Sequence, residues 1–153
     1  MGRNLRFAIL DCEDSEKWRG YTESFWCKAM CTQADDTVEV FQCFASNWPD
    51  PTKVDEMYDV IIVGGSHYSA YQDLPWINEL ENTLREYVNC AQVRIIACCF
   101  GHQLLCKALG GVVGRNPSGR FVLGIEDVRA DPVALRAHGL LPPDPSGPAG
   151  QLG

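Results

Sequence analysis

A thiol lies where an apolar, strand-like run of this chain meets a helix-like run. Residues 93–98 are mostly apolar, Cys99 follows them, and residues 103–109 have a helical pattern that stops at Gly110. A strand, a sharp turn carrying a thiol and a helix form the layout of a nucleophile elbow. Such a turn lifts Cys99 above the sheet edge, and the positive end of the following helix favours the thiolate. Free backbone N–H groups at the helix start would also bind the oxyanion formed when the sulfur attacks a carbonyl.

The residues around this thiol carry a recognisable signature. Residues 97–103 (Ala-Cys-Cys-Phe-Gly-His-Gln) resemble the Gly-x-Cys-x-Gly-[His/Gln]-Gln signature of class I glutamine amidotransferases. Cys99 falls on the nucleophile position, and Ala97 stands where that family usually has glycine. Gly101 falls where the elbow needs a residue without a Cβ atom. Cys98 is predicted to be a core residue, because free cysteines are among the most buried residue types.

A second segment upstream supports the same resemblance. Residues 59–63 form an apolar, β-branched run that ends in Gly64-Gly65-Ser66, which alone indicates only a turn. In the family that the chain resembles, this loop lies beside the nucleophile and completes the oxyanion hole. The resemblance therefore implies Cys99 as the nucleophile, with Gly65, Phe100 and Gln103 as oxyanion and substrate-binding residues. Residues 68–73 (Tyr-Ser-Ala-Tyr-Gln-Asp) resemble a loop of γ-glutamyl-peptide hydrolases in the same superfamily.

The elements that must position these residues alternate between strand and helix. Strands are predicted over 6–11, 37–44, 59–63 and 93–98, and helices over 17–30, 75–90 and 103–109. In the first helix Trp18, Tyr21, Phe25 and Met30 are expected near one face, with Ser15 as a candidate N-cap. This order predicts a flavodoxin-like, three-layer α/β/α fold with a mostly parallel sheet. The site is expected at the carboxyl ends of the third and fourth strands.

Composition limits the classes of partner. The net charge is −7 and the isoelectric point about 4.8, which argues against a nucleic-acid partner bound through phosphates. No apolar run approaches the length of a membrane span, and the start of the sequence has no signal-peptide pattern. Eight cysteines without a secretory signal indicate free thiols in a reducing cytosol, not a disulfide framework. Neither a metal site nor a cofactor is predicted, and the oligomeric state is left open.

The three histidines give no obvious catalytic base. His67 either lines the pocket or is an exposed loop residue, and His102 is expected to be structural. His138 lies in a Pro/Gly-rich segment that cannot hold an imidazole against a thiol. In the family that the chain resembles, a histidine and a glutamate act from a segment for which we find no counterpart here.

These observations predict two parts and a function. Residues 1–135 are expected to form a partial amidotransferase-like domain, incomplete at the C-terminus, and residues 136–153 a disordered tail. The predicted function is a cysteine hydrolase acting on the γ-carbonyl of glutamine or a γ-glutamyl peptide, weakly active or inactive without the histidine and glutamate. The alternative is a non-catalytic binding, regulatory or redox-sensing module on the same fold.

Overall fold

The computed structural model describes residues 4–90, 92–120, 124–125, 131–137 and 141–142. The chain divides into two compact units, Met1–Arg115 and Asn116–Gly153. In the first unit the strands are β1 (Arg6–Asp11), β2 (Thr37–Gln42), β3 (Val60–Val63) and β4 (Arg94–Ala97), and the helices are α1 (Tyr21–Ala29), α2 (Val54–Met57), α3 (Pro75–Val88) and α4 (Phe100–Ala108). In the second unit a short helix, α5, spans Pro132–Ala137. Among the described residues, no helix is both long and apolar enough to cross a membrane.

The four strands form one parallel sheet in the order β2-β1-β3-β4. Ile9 pairs with Val40 on one side and with Ile62 on the other, and Ile62 pairs in turn with Ile96. The chain moves from β1 outward to β2 and then returns to β3 on the opposite side of β1. This reversal places a crevice at the carboxyl ends of β1 and β3, where open α/β sheets bind their ligands. The predicted α/β fold with a parallel sheet is confirmed.

Alternate residues of the strands point to opposite faces of the sheet and form two clusters. On one face, Leu10 and Val63 share a large cluster with buried residues of α3 and α4. On the other face, a smaller cluster of Phe7, Ile9, Val60 and Ile62 packs against Trp26 and Met30 at the α1 side. The sheet is thus covered on both faces, which gives the predicted three layers.

Helix α3 follows directly from its sequence. Pro75 occupies the first turn, where its missing N–H has no intrahelical partner to lose. Ile77, Leu80 and Leu84 recur at helical spacing and are fully buried. The predicted helix over 75–90 is confirmed, with its end two residues earlier.

The predicted helix over 17–30 is wrong in its first part. A short 3-10 helix covers Glu16–Trp18, and α1 begins only at Tyr21. Gly20 separates the two at φ 79°, in the left-handed region that glycine adopts without strain. Ser15 precedes the 3-10 helix but makes no side-chain cap hydrogen bond. The expected aromatic face is not a core face, because Phe25 remains 61% exposed.

Smaller differences concern the ends of elements. The second strand stops at Gln42, and Cys43–Ala45 form a 3-10 turn. The helix after the thiol begins at Phe100, three residues earlier than predicted. Helix α2 was not predicted, since four residues are too few to show a helical period.

Candidate functional site

The backbone at Cys99 has the conformation that a nucleophile elbow requires. Cys99 has φ 54° and ψ −115°, an unusual conformation for a residue with a Cβ atom. Just before it, the Cys98 N–H donates a hydrogen bond to the Val63 carbonyl oxygen at 3.1 Å, which continues the pairing of β3 with β4. Helix α4 starts immediately afterwards at Phe100. The sharp turn therefore leaves the Cys99 side chain exposed between a strand end and a helix start.

Gly101 makes this turn possible. An ideal Cβ at this position would lie 2.4 Å from the Val63 carbonyl oxygen and 2.9 Å from that of Gly64. The Gly101 N–H also donates to the Gly64 carbonyl oxygen at 3.0 Å. Because both obstructing atoms belong to the backbone, they cannot rotate away as a flexible side chain would. A glycine is thus needed for α4 to approach the end of β3.

The same contact brings Gly65 beside the thiol. An ideal Cβ on Gly65 would lie 3.6 Å from the Cys99 Cβ and 4.0 Å from its Sγ. The loop is fixed at its start, because the Gly64 N–H donates to the Leu10 carbonyl oxygen at 3.1 Å. Even a methyl side chain at position 65 would therefore contact the Cys99 side chain, so a glycine here leaves the space beside the thiol open.

Phe100 and Gln103 occupy the first turn of α4 and differ in their surroundings. The Phe100 side chain is 1% exposed and packs on Trp76, with ring centroids 5.6 Å apart. Its N–H lies in the first turn of α4, where backbone donors have no intrahelical acceptor. The Gln103 N–H donates to the Cys99 carbonyl oxygen at 3.1 Å, and its side chain is exposed. The structure thus brings three of the four predicted residues, Cys99, Gly65 and Phe100, to one point and leaves Gln103 at its edge.

A row of aromatic rings joins the glycine loop to the elbow. His67 stacks on Tyr68 at a centroid distance of 4.1 Å, and Tyr68 meets the edge of Trp76 at 5.5 Å. Trp76 then contacts Phe100. Because Trp76 and Phe100 are both buried, this row holds the loop after β3 in register with the start of α4.

Comparison with known proteins agrees with this geometry. No protein-family model matches the chain. It is 30% identical over 116 residues to a Saccharomyces cerevisiae protein whose name assigns it to the glutamine amidotransferases, covering 73% of this chain and 46% of that protein. It is 34% identical over 116 residues to gamma-glutamyl peptidase 4 of Arabidopsis thaliana, covering 75% of this chain and 45% of the peptidase. The chain belongs to the class I glutamine amidotransferase-like family.

A solved structure shows the same fold. The glutamine amidotransferase from Methylobacillus flagellatus superposes with a TM-score of 0.55 at 24% identity, over 75% of this chain and 43% of that chain. This chain therefore spans less than half the length of the proteins it matches. The shared fold is the flavodoxin-like α/β arrangement of glutamine amidotransferases.

Cys98 is not the buried core residue that was predicted from its residue type. It is exposed, as Cys99 is, whereas Cys12 and Cys43 are buried. The reason is its position, because Cys98 follows the end of β4 and lines a cavity on the α1 side of the sheet. This amidotransferase-like elbow thus presents two neighbouring thiols, of which only Cys99 is at the strained turn.

His67 is held by carboxylates and not by the thiol. Its Nδ1 lies 2.6 Å from Glu13 Oε1 and 3.7 Å from Asp14 Oδ1, and its N–H donates to Glu13 Oε2 at 2.9 Å. Partial burial of Glu13 opposes its ionisation, but hydrogen bonds from His67 and from the Ser15 N–H outweigh it, and the pKa of Glu13 falls below its usual value. Tyr68 donates its hydroxyl to Asp14 Oδ2 at 3.1 Å.

The sequence did not single out Glu13 and Asp14, although a signal existed. Both follow the carboxyl end of β1, the strand next to β3 in the sheet. Ligand atoms of Glu13, Asp14 and His67 lie within 4.8 Å of one another and could approach one cation. The hydrogen bonds among these side chains already account for the arrangement, so we assign no metal to it.

His102 lies on the exposed side of α4. Its Nε2 is 3.8 Å from Cys106 Sγ, one helical turn further on. His138 is outside the described residues. The two described histidines thus have neighbours other than Cys99.

Proposed function

We propose that this chain forms a cysteine-dependent acyl-transfer centre that acts on the γ-carbonyl of glutamine or of a γ-glutamyl peptide. The observation that carries the proposal is Cys99 at φ 54° on a strand-to-helix turn, with Gly65 so near that an added Cβ would contact the Cys99 side chain. The family supports the substrate class, since one relative bears the name of a gamma-glutamyl peptidase and another that of a glutamine amidotransferase.

In the proposed reaction the Cys99 thiolate attacks the γ-carbonyl carbon and the carbonyl oxygen becomes an oxyanion. The N–H groups of Gly65 and Phe100 donate hydrogen bonds to that oxyanion. When the carbon–nitrogen bond breaks, the nitrogen leaves with a proton as ammonia or an amine, and a thioester to Cys99 remains. Water then hydrolyses the thioester to a γ-carboxylate and regenerates the thiol.

Protonation of the leaving nitrogen is the difficult step for this chain. A nearby general acid–base group typically contributes about 10²–10⁴-fold to such a reaction. His67 is engaged by Glu13 and His102 lies against Cys106, so neither described histidine is placed to serve Cys99. We therefore propose that the 153-residue chain binds and slowly acylates but turns over weakly or not at all.

We place this chemistry in a reducing compartment, the cytosol. All eight cysteines lie in the described part of the chain and are free. Exposed neighbouring thiols such as Cys98 and Cys99 persist in the reduced form only where thiol reductants are present. The alternative function on the same fold is a binding or redox-sensing module, which the exposure of both thiols also supports.

A covalent probe tests the proposal without requiring turnover. In a glutamine analogue with a diazoketone in place of the γ-amide, a thiolate held at the γ-carbonyl displaces N₂ from the protonated diazo carbon and forms a stable thioether. We expect intact-mass analysis to show one adduct per chain, peptide mapping to place it on Cys99, and free glutamine to protect against it. Cys99→Ala should abolish the adduct, whereas Cys98→Ala, the matched control at the adjacent exposed thiol, should retain it.

The outcomes separate the two functions. Release of glutamate from glutamine by the purified chain should be far slower than adduct formation. Rapid labelling of Cys99 by iodoacetamide, without labelling by the diazoketone, would refute the acyl-transfer proposal and support the redox alternative. Ordinary enzyme turnover abolished by Cys99→Ala would contradict the proposed lack of a general acid–base group.

A further inference from the structure

A cavity of about 460 Å³ lies next to the elbow, on the α1 side of the sheet. Small-molecule sites in proteins occupy roughly 300–1,000 Å³. Gly65 and Cys98 line the cavity, and both are immediate neighbours of Cys99 in space or in sequence. A molecule whose reacting carbon lies at the Cys99 sulfur can therefore extend into this cavity.

We propose that the cavity is a subsite for the group attached to the γ-glutamyl nitrogen, and that it selects a flat apolar group without negative charge. This inference rests on the proposed acyl-transfer function and specifies its substrate class as a γ-glutamyl amide of an aromatic or similarly apolar amine.

Part of the cavity lining is an aromatic wall. Trp18, Tyr21, Phe25 and Trp26 line it, all from the 3-10 helix and α1. Trp18 is 50% exposed, Tyr21 63% and Phe25 61%, and α1 buries none of its residues completely. Large aromatic side chains gain most when they are removed from water, so this wall retains unused apolar surface. A flat apolar group in the cavity would cover it.

The charge of the cavity determines which apolar groups it accepts. Its carboxyl and imidazole lining side chains are Asp11, Glu13 and His67. The ammonium of Lys17 lies 4.8 Å from the centre of the Trp18 ring, but Lys17 does not line the cavity. The lowered pKa of Glu13 keeps its carboxylate ionised at neutral pH. A carboxylate on the bound group would be repelled by Glu13, because like charges at short range raise the free energy of binding.

The aromatic lining also orients the substrate. The amino-acid end of a γ-glutamyl group carries an α-carboxylate and an α-ammonium, and covering either charge with aromatic side chains removes its hydration. The amino-acid end is therefore expected to lie away from the cavity, and the apolar amine side of the scissile bond to enter it. The proposed specificity thus concerns the leaving group.

Three matched probes test this inference by binding. γ-Glutamyl anilide carries the apolar group, γ-glutamyl 4-carboxyanilide adds one carboxylate, and glutamine lacks the group. Calorimetry on the full chain with Cys99→Ala prevents consumption of the probes. We expect the anilide to bind at least about fivefold more tightly than either of the other two.

Variants locate the binding. Phe25→Ala should weaken anilide binding about fivefold and leave glutamine binding unchanged. Tyr21→Ala provides a second test on the same wall, and Met57→Ala, at a comparably exposed side chain outside the cavity, should change neither affinity. Glu13→Gln should narrow the difference between the anilide and the carboxyanilide.

Equal affinities for the three probes, or an anilide affinity insensitive to both aromatic variants, would overturn the inference. A change in oligomeric state on Phe25→Ala with unchanged anilide affinity would also overturn it, since the aromatic wall would then be an interface between copies. Diazoketone labelling of Cys99 is an independent measurement. Labelling without anilide preference refutes the subsite alone, whereas anilide preference without labelling refutes the acyl-transfer function.

Discussion

The two faces of the sheet differ in how tightly their helices are held. On the face of α3 and α4, residues such as Ile77, Leu84 and Leu104 are fully buried in one large cluster. On the opposite face α1 has no completely buried residue, and Phe25 and Tyr21 are mostly exposed. The elbow begins the tightly packed helix α4, and the cavity beside it is lined by the loosely packed helix α1.

This contrast shows that one face of the sheet holds the elbow rigid, whereas the other face leaves apolar surface accessible to a ligand. The strained turn at Cys99 persists only where its surroundings determine it, and the buried face supplies that support. An aromatic wall that binds ligands must instead keep apolar surface accessible until the ligand arrives. Substitutions of similar size should therefore have unequal effects on the two faces.

The largest effect is expected at the elbow. Gly101→Ala would place a Cβ 2.4 Å from the Val63 carbonyl oxygen, so β3 and α4 would have to separate. We expect a loss of about 3 kcal/mol or more in the free energy of unfolding, measured by urea denaturation. Gly114→Ala is the matched control, because its added Cβ would meet no atom within 4 Å. Equal losses for the two variants would show that the close approach is not what restricts position 101.

The sequence predicted the elbow because its requirements are local. The turn requires a cysteine between a strand and a helix and a glycine two residues later. The signature at 97–103 contains both within seven consecutive residues. The same is true of α3, where Pro75 and the helical spacing of Ile77, Leu80 and Leu84 are all local.

The α1 side could not be predicted in the same way. Trp18, Tyr21 and Phe25 have the spacing of a buried face, yet no element covers them in the described part of the chain. Burial of a helix face depends on what packs against it, which periodicity does not report. Likewise, the pairing of Glu13 with His67 joins residues 54 positions apart and has no local signal.

An intermediate effect is expected from the ion pairs that tie α4 to α3. Lys107 Nζ lies 2.8 Å from Glu81 Oε2, and Arg85 is bonded to the same carboxylate. Partial burial of Glu81 opposes ionisation, but Lys107 and Arg85 outweigh it and lower its pKa below the usual 4.5. The stabilisation by these ion pairs is therefore complete above pH 4.5. It is lost as the pH falls through the lowered pKa of Glu81 in the folded state.

Glu81→Gln should cost about 1 kcal/mol at pH 7 and should remove part of this acid-dependent loss. Asp11, which lines the cavity, should show the opposite dependence of stability on pH. Burial raises its pKa above 3.8, against the hydrogen bonds from the Glu13 N–H and Thr22. Folding therefore favours the protonated form of Asp11, and the free energy of unfolding falls as the pH rises and Asp11 ionises. Asp11→Asn cannot ionise and should remove this loss. Parallel pH profiles of unfolding for the two variants would contradict the assignment of these carboxylates to opposite roles.

The smallest effect on stability is expected at the aromatic wall. Phe25 is 61% exposed, so Phe25→Ala removes few packed contacts and should change the free energy of unfolding by less than about 0.5 kcal/mol. Leu104→Ala, on the fully buried side of α4, should instead cost about 2–5 kcal/mol through the cavity it leaves. Thermal denaturation of both variants measures the difference directly. A loss at Phe25 comparable to that at Leu104 would mean that α1 supports the fold as α4 does. The weakened anilide binding expected for Phe25→Ala would then reflect general destabilisation and not a lost contact.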